Sequence, residues 1–387
     1  MIINRFYERF VRHPRTALLA FLCYPFKIKK NKVVFRNFGG KGYSDNPKYI
    51  ADEIIRRGYK YDMVWLVNEF YDEIPSSIRQ VKNATLKCAY EMSTAKVIII
   101  NTKDALTCFK KKNQYLIQTW HSTYGPKYVE KDALDTLPAY YIKDSMENSA
   151  DTDLFLSPCK LQTEEFRHAF WCECEIMPSG IPRNDVYFNY SPAQINSVKK
   201  ELGIPSEAKI IIYAPTFRDD HSTEVYSLLD FAKIRKFLEE RFGGDWYVLI
   251  RLHPGIQFDV NFKFDFNDHI INVSGYSDIQ ELLIASTLLI TDYSSIMFDF
   301  YLLKKPVFLF TPDVDSPSIR GLRPMFYEFP FVHCKTQEEL LSAITTFREK
   351  DYQDKVMEFE ERFHSYDDGH AAERVVDRMK EIMNKND

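Results

Sequence analysis

The sequence predicts an α/β fold of two Rossmann-like doubly wound domains facing a cleft, and three observations predict it. The chain has 387 residues, which suits two domains at roughly 150 residues each. From Lys32 onward, short apolar β-branched runs alternate with helical patterns, the mark of parallel sheets with crossover helices. The runs fall into two sets of six, too many for one ordinary open sheet and well matched to two.

Residues 1–32 carry eight Lys or Arg against one Glu. Their longest uncharged stretch, residues 16–26, has 11 residues, whereas a spanning helix needs about 20. It ends in Tyr24-Pro25-Phe26 and a lysine cluster instead of a small-residue cleavage site, so secretion is not indicated. Ile2, Ile3, Phe6, Phe10 and Val11 recur at helical spacing with arginines between them, the pattern of an interfacial amphipathic helix attracted to anionic lipid. A helix packed on the protein's own surface with solvated arginines has the same pattern. The reading adopted is a basic amphipathic membrane-associating segment over 1–32, holding the protein peripherally on the cytoplasmic face of the bacterial cell membrane.

A first domain follows over 33–190, with strands expected at 33–35, 63–67, 97–101, 115–119, 154–157 and 175–178. Asn189-Tyr190-Ser191-Pro192 opens a connecting helix, and a second domain over 191–350 has strands expected at 210–214, 247–252, 270–273, 288–291, 307–310 and 331–334. The tail, 351–387, reads as two helices broken at Gly369, one of them able to cross back to the first domain. Apolar residues make up 45% and charged residues 27%, the balance of a soluble globular chain with a real core. A net charge of -4 provides no field for nucleic acid, which is excluded as a partner. Seven scattered cysteines read as reduced thiols and favour the cytosolic side.

The chemistry concentrates at strand ends. Thr291-Asp292-Tyr293-Ser294-Ser295 runs from a buried strand into a helix, so Ser294 can cap that helix and its end favours an anion, above all a phosphate. An ordinary Asp/Ser cap has the same sequence. Ala214-Pro215-Thr216-Phe217-Arg218 ends a second strand with a cation that can grip phosphate through two donors, or make a surface ion pair. Arg251-Leu252-His253-Pro254 puts an imidazole past a third strand. The convergence of Arg218, His253 and the Asp292 to Ser295 run suits a diphosphate.

In the first domain, Gln118-Thr119-Trp120-His121-Ser122 leaves an apolar strand with an imidazole, and Lys127 follows six positions on. A His near its unperturbed pKa is the usual general base for an alcohol, although a His hydrogen-bonded in a tight turn would look alike. The loop Phe38-Gly39-Gly40-Lys41-Gly42 follows the first strand and does not match GxGxxG. Cys172-Glu173-Cys174 lacks a second pair or a His at zinc spacing, so no metal and no cofactor is assigned.

At these residues the chain resembles the CDP-glycerol glycerophosphotransferase family of teichoic-acid and capsule synthesis. The motifs that carry the resemblance are Gln118-Thr119-Trp120-His121, Gly180-Ile181-Pro182-Arg183-Asn184-Asp185, Ala214-Pro215-Thr216-Phe217-Arg218, Arg251-Leu252-His253-Pro254 and Thr291-Asp292-Tyr293-Ser294-Ser295 with Asp299, in family order from about 33 to 335. The resemblance implies a GT-B-like pair of domains, with CDP-glycerol or CDP-ribitol held mainly by the second and a lipid-linked glycan acceptor presented by the first. It implies His121 and His253 as catalytic groups, with Arg218, Thr216, Asp292, Ser294, Ser295 and Asp299 on the donor side. Lys127, Ser122, Gly39 and Gly40 fall on the acceptor side. The family commonly has Gly where this chain has Ser122, which bears on the acceptor loop. The reaction expected is transfer of an alditol phosphate to an acceptor hydroxyl with release of CMP. A nucleotide-sugar glycosyltransferase of the same architecture and a non-catalytic nucleotide-binding partner in capsule assembly are the alternatives.

Overall fold

A computed structural model describes residues 2–218, 224–252, 264–316 and 321–385, with residues 2–6 as backbone only. The chain divides into two compact units. The first takes in Met1–His121, Val129–Asp185 and Ser365–Asp387, and the second Ser122–Tyr128 and Val186–His364.

The first unit holds β1 (Lys29–Arg36), β2 (Asp62–Val67), β3 (Arg79–Lys82), β4 (Ala95–Ile100), β5 (Tyr115–Gln118), β6 (Leu154–Leu156) and β7 (Glu175–Met177). They form one sheet in the order β3-β2-β1-β4-β5-β6-β7, with every pairing parallel. The second unit holds β8 (Lys209–Tyr213), β9 (Trp246–Ile250), β10 (Ile270–Asn272), β11 (Leu288–Thr291), β12 (Val307–Phe310) and β13 (Val332–Cys334), ordered β10-β9-β8-β11-β12-β13. Both are parallel α/β sheets of the doubly wound kind, as the sequence leads one to expect. Each reverses its strand order once, between β1 and β4 and between β8 and β11, and ligands of such sheets sit beyond the strand C-termini at that reversal.

The sequence pattern explains the layering. β4 is buried along its whole length, because a parallel strand is covered on both faces and needs a continuous apolar run. Register sets Val33 beside Met63 and Val97. Alternation then sends Val33, Phe35, Trp65 and Ile99 to one face and Val34, Val64, Ile98 and Ile100 to the other. The first face is covered by helix Asp45–Arg56 and by the C-terminal helix Ala371–Asn384, through Val375, Val376, Met379 and Ile382. The tail is therefore split. Helix Glu349–Phe363 stays with the second unit, where Phe363 stacks on Phe298 at 4.9 Å, and the last helix completes the core of the first.

The amino-terminal segment departs from a single amphipathic stretch. It forms two helices, Ile2–Arg12 and Pro14–Cys23, because Pro14 suits a first helical turn and breaks the preceding one. Both belong to the first unit. Arg9 is 1% exposed and donates from Nη1 to the Cys108 carbonyl at 2.8 Å. Arg12 donates from Nε to Asp144 at 3.0 Å. These arginines are committed to the protein itself, which corrects the expectation that they face lipid. The outward face is apolar instead: Val11, Leu18, Phe21, Leu22 and Phe26 are each at least half exposed, with Arg15, Lys27, Lys29 and Lys30 also at the surface. Among the described residues no helix is long and apolar enough to cross a membrane.

Candidate active site

The first unit builds its site at the ends of β1, β4 and β5. β5 ends in Gln118, whose side chain donates to the Thr102 carbonyl at 2.9 Å and accepts from the Trp120 N–H at 3.0 Å. That turns the chain sharply and holds Trp120 at φ +54, a left-handed conformation that a bulky residue keeps only under tertiary constraint. His121 follows. Its Nδ1 lies 2.7 Å from the Asn101 carbonyl at the end of β4. A carbonyl can only accept, so Nδ1 carries the hydrogen and Nε2 keeps the lone pair. Burial holds the imidazole pKa below the ordinary histidine value, against the upward pull of the Asn101 carbonyl and Asp45. The ring is thus neutral at pH 7, with a basic nitrogen of defined identity.

A buried polar network stands behind it. Asn101 donates to Asn37 at 2.8 Å and to Asp45 at 3.1 Å, and its side-chain oxygen accepts from the Phe38 N–H at 2.7 Å. Arg183 donates to Asp45 at 2.7 Å, while Asn46 donates to the Trp120 carbonyl at 3.0 Å. This gives the Gly180 to Asp185 run a structural meaning. Arg183 neutralises Asp45, Asp185 accepts from the Ala371 and Ala372 N–H groups that begin the C-terminal helix, and Gly180 has φ +72 where a Cβ would lie 2.9 Å from the Tyr366 carbonyl. Gly40 is likewise a packing necessity, since at φ +102 an added Cβ would fall 2.0 Å from Asn83 Nδ2. Gly39 is half-buried beside it, and the Phe38 ring meets His121 edge-on at 5.7 Å.

The second unit gathers polar groups of its own at the ends of β8 and β11. Asp292 Oδ1 accepts from Thr216 N at 2.9 Å and Thr216 Oγ1 at 2.7 Å, and Oδ2 accepts from Arg218 Nη1 at 2.7 Å. Arg218 Nε donates to Asp313 at 2.6 Å, and Tyr293 OH donates to the same carboxylate at 3.0 Å. Arg218 is 2% exposed. Its guanidinium is therefore bound between two carboxylates, and Thr216 is spent on Asp292. Neither presents the open two-donor grip that the sequence suggests. Asp299 is buried and accepts from Thr123 Oγ1. Ser294 and Ser295 are half-exposed; Ser295 stands at the N-cap of helix Ile296–Tyr301 without a side-chain cap bond, and Ser294, one position earlier, accepts through Oγ from the Ile296 N–H at 3.3 Å.

Two further residues fall differently from expectation. Lys127 belongs to the second unit, with Nζ 5.4 Å above the Tyr293 ring, and its strand-like segment is tied to that unit by the Tyr128 N–H to Gly321 carbonyl bond of 3.0 Å. Ser122, half-buried, opens the same segment. His253 lies outside the described residues. The sequence gives no role to Asn101, Asp45, Arg183 or Asp313. The first acts through a backbone carbonyl that no side-chain pattern displays, and Asp313 meets Arg218 across 95 positions with no motif around it.

Residues 18–381 match the model of the CDP-glycerol:poly(glycerophosphate) glycerophosphotransferase family. The chain belongs to this family. It is 33% identical over 370 residues to a teichoic acid poly(glycerol phosphate) polymerase of Staphylococcus epidermidis, covering 90% of this chain and 50% of that protein. The chain thus spans about half the length of that relative. It is 30% identical to a teichoic acid glycerol-phosphate transferase of Staphylococcus aureus, covering 89% of this chain and 92% of the relative. Among solved structures it is similar to the wall teichoic acid polymerase TagF, with a TM-score of 0.84, 30% identity and coverage of 98% of this chain and 97% of that one. A TagF variant soaked with CDPG matches with the same TM-score, 0.84.

Proposed function

We propose that this glycerophosphotransferase family member transfers glycerol phosphate, or a related alditol phosphate, from its CDP-activated form to a hydroxyl of a lipid-linked glycan, releasing CMP. The observation that carries the reading is the bond between His121 Nδ1 and the Asn101 carbonyl, which leaves Nε2 as a base of fixed identity. Nε2 takes the proton of the acceptor hydroxyl, whose oxygen attacks the phosphorus bearing the alditol. The bond to the CMP oxygen breaks, and CMP leaves with its electron pair. Ser294 and Ser295 supply hydroxyl donors for the phosphoryl oxygens, and Lys127 supplies a positive charge beside the Tyr293 ring. Arg218 works one step behind, tying the Asp292 segment that carries the two serines to Asp313. The TagF structure soaked with CDPG and the names of the relatives support CDP-glycerol as donor.

Donor identity is tested by thermal protection: CDP-glycerol or CDP-ribitol is expected to raise Tm. Protection by a UDP-hexose in their place contradicts the reading and favours a glycosyltransferase. The base assignment fixes a pH dependence. Because burial lowers the His121 pKa, the acid limb of kcat/KM should lie below the ordinary value of about 6.5. Asp45→Asn removes a charge that favours the imidazolium and should move that limb lower still. A limb at or above 6.5 contradicts a buried neutral base.

We also place the protein peripherally on the cytoplasmic face of the membrane, held by the apolar face of helix Pro14–Cys23, with Arg15 and the lysines at 27, 29 and 30 adding attraction to anionic lipid. Removing the segment outright would uncover the site where Ala17, Ala20 and Phe109 pack. Leu18→Ser, Phe21→Ser and Leu22→Ser together are the cleaner test. They should lower cosedimentation with phosphatidylglycerol vesicles at least tenfold at unchanged Tm, and unchanged cosedimentation rejects the role.

A further inference from the structure

Five of the seven cysteines, Cys23, Cys88, Cys108, Cys159 and Cys334, are buried. Burial pushes their thiols up where a shift is resolved, to about 12 at Cys108 and Cys334. Cys159 has a structural task, its sulfur accepting from the Gln162 N–H at the start of helix Lys160–Ala169. Cys172 and Cys174 differ. They are half-buried in the connection 170–174 between that helix and β7, and their sulfurs are 2.6 Å apart. Glu173 between them is exposed.

Their surroundings favour reaction. The Cys172 thiol is drawn below its ordinary value by its contact with the Cys174 thiol and, against burial, by the Cys174 N–H and the Lys103 charge. An attacking thiol works best with a pKa near ambient pH. The Lys103 ammonium is itself anchored, donating to the Phe170 carbonyl at 3.2 Å and to Glu130 at 3.3 Å. Both cysteines pack on the aromatic cluster that contains Trp120 and Phe170. Phe170 meets Trp120 edge-on at 5.0 Å, and the Trp120 ring lies 4.2 Å from His121. One pair of rings thus joins the dithiol loop to the imidazole, and the Trp120 in that pair is held at φ +54 by its surroundings.

We propose that Cys172 and Cys174 form a modification site that closes to an intramolecular disulfide by exchange with a low-molecular-weight disulfide, and that closure disturbs the packing under His121 and lowers turnover. The Cys172 thiolate attacks one sulfur of RSSR and expels RS⁻, giving a mixed disulfide. Cys174 loses its proton to the released thiolate and attacks the Cys172 sulfur, expelling the second RS⁻, which takes up the proton Cys172 gave to solvent. Two protein thiols are oxidised, one RSSR is reduced to two RSH, and no other oxidant enters.

The disulfide chemistry stands apart from the proposed transferase activity, and only the turnover readout rests on it. The full chain is treated with oxidised glutathione, denatured, alkylated with iodoacetamide and weighed. The parent should carry two alkyl groups fewer and no glutathione. Cys174→Ser should trap one glutathione, and Cys172→Ser should keep its full alkylation. CMP release by the parent should fall at least fivefold and return with dithiothreitol, while Cys172→Ser is indifferent to the oxidant. The His121 ring resonances should move on closure, which reads the coupling even if no donor is turned over. A parent that keeps both thiols alkylatable, or pairs a different cysteine, overturns the site. A closed disulfide with unmoved His121 resonances or unchanged turnover overturns the coupling.

Discussion

Replacing His121 by Ala is expected to lower turnover by about 10² to 10⁴-fold while CDP-glycerol continues to raise the melting temperature as it does for the parent. The range follows from the role. A positioned general base contributes that much when it removes a proton in the transition state, and it contributes nothing to holding a diphosphate. His121→Gln keeps volume and a hydrogen-bonding group but has no titratable nitrogen, so it should be as slow as the alanine variant. Asn101 acts through its backbone, so no single side-chain change removes its bond to Nδ1. The supporting network can be reached instead at Arg183, which donates to Asp45. Arg183→Ala should lower kcat and shift the pH profile, because an unneutralised Asp45 raises the imidazole pKa. Turnover within threefold of the parent in His121→Ala would leave the imidazole a structural residue of a tight turn.

The second large effect is expected at Arg218, and here stability is the readout. Its guanidinium is buried between Asp292 and Asp313 at 2.7 and 2.6 Å. Removing one partner of a buried ion pair costs about 3–5 kcal/mol, because the remaining charges lose compensation without regaining water. Arg218→Ala leaves two carboxylates facing a void and should lower the stability of the second unit by that amount in denaturant titrations. Arg218→Lys keeps the charge but cannot donate along two directions at once, so it should fall between. Arg218→Ala together with Asp313→Asn should recover part of the loss, since one of the orphaned charges is then gone. A variant that keeps its stability within about 1 kcal/mol, the scale of an exposed ion pair, yet loses CDP-glycerol affinity would show instead that the guanidinium serves the ligand directly.

The contrast between these two residues shows what the sequence displays and what it hides. His121 was legible because it lies three residues past the apolar strand β5, and the position of such an end in a doubly wound sheet follows from topology alone. The same holds for Asp292 after β11, and β-branched runs mark nearly every strand of the two sheets. β3 escaped because Arg79-Gln80-Val81-Lys82 is a short edge strand with one buried side chain and no apolar run. The carboxylates around Arg218 were hidden for a different reason. A cation at a strand end looks the same whether it faces ligand or carboxylate, and Asp313, which pairs with it, sits in a loop without a pattern. The amino-terminal arginines repeat that lesson, since two of the acids that engage Arg12, Asp144 and Glu147, lie more than a hundred positions away.

Lys127 carries a related point. Six positions after His121 it reads as part of the same loop, but the chain passes from one unit to the other between residues 121 and 122, and Lys127 ends beside the Tyr293 ring. Spacing along the sequence therefore overstates its kinship with the imidazole. A lysine over an aromatic ring next to Asp292 and Ser294 belongs with the groups proposed for the donor phosphates.

The most direct measurement is a product analysis. Purified protein is incubated with CDP-glycerol and a lipid-linked disaccharide acceptor, nucleotide products are separated, and the acceptor is weighed by mass spectrometry. The expected result is CMP in step with an acceptor heavier by whole glycerol phosphate units. An acceptor of unchanged mass with CDP-glycerol and CDP-ribitol alike, or one that gains a hexose from a UDP-sugar, contradicts alditol phosphate transfer.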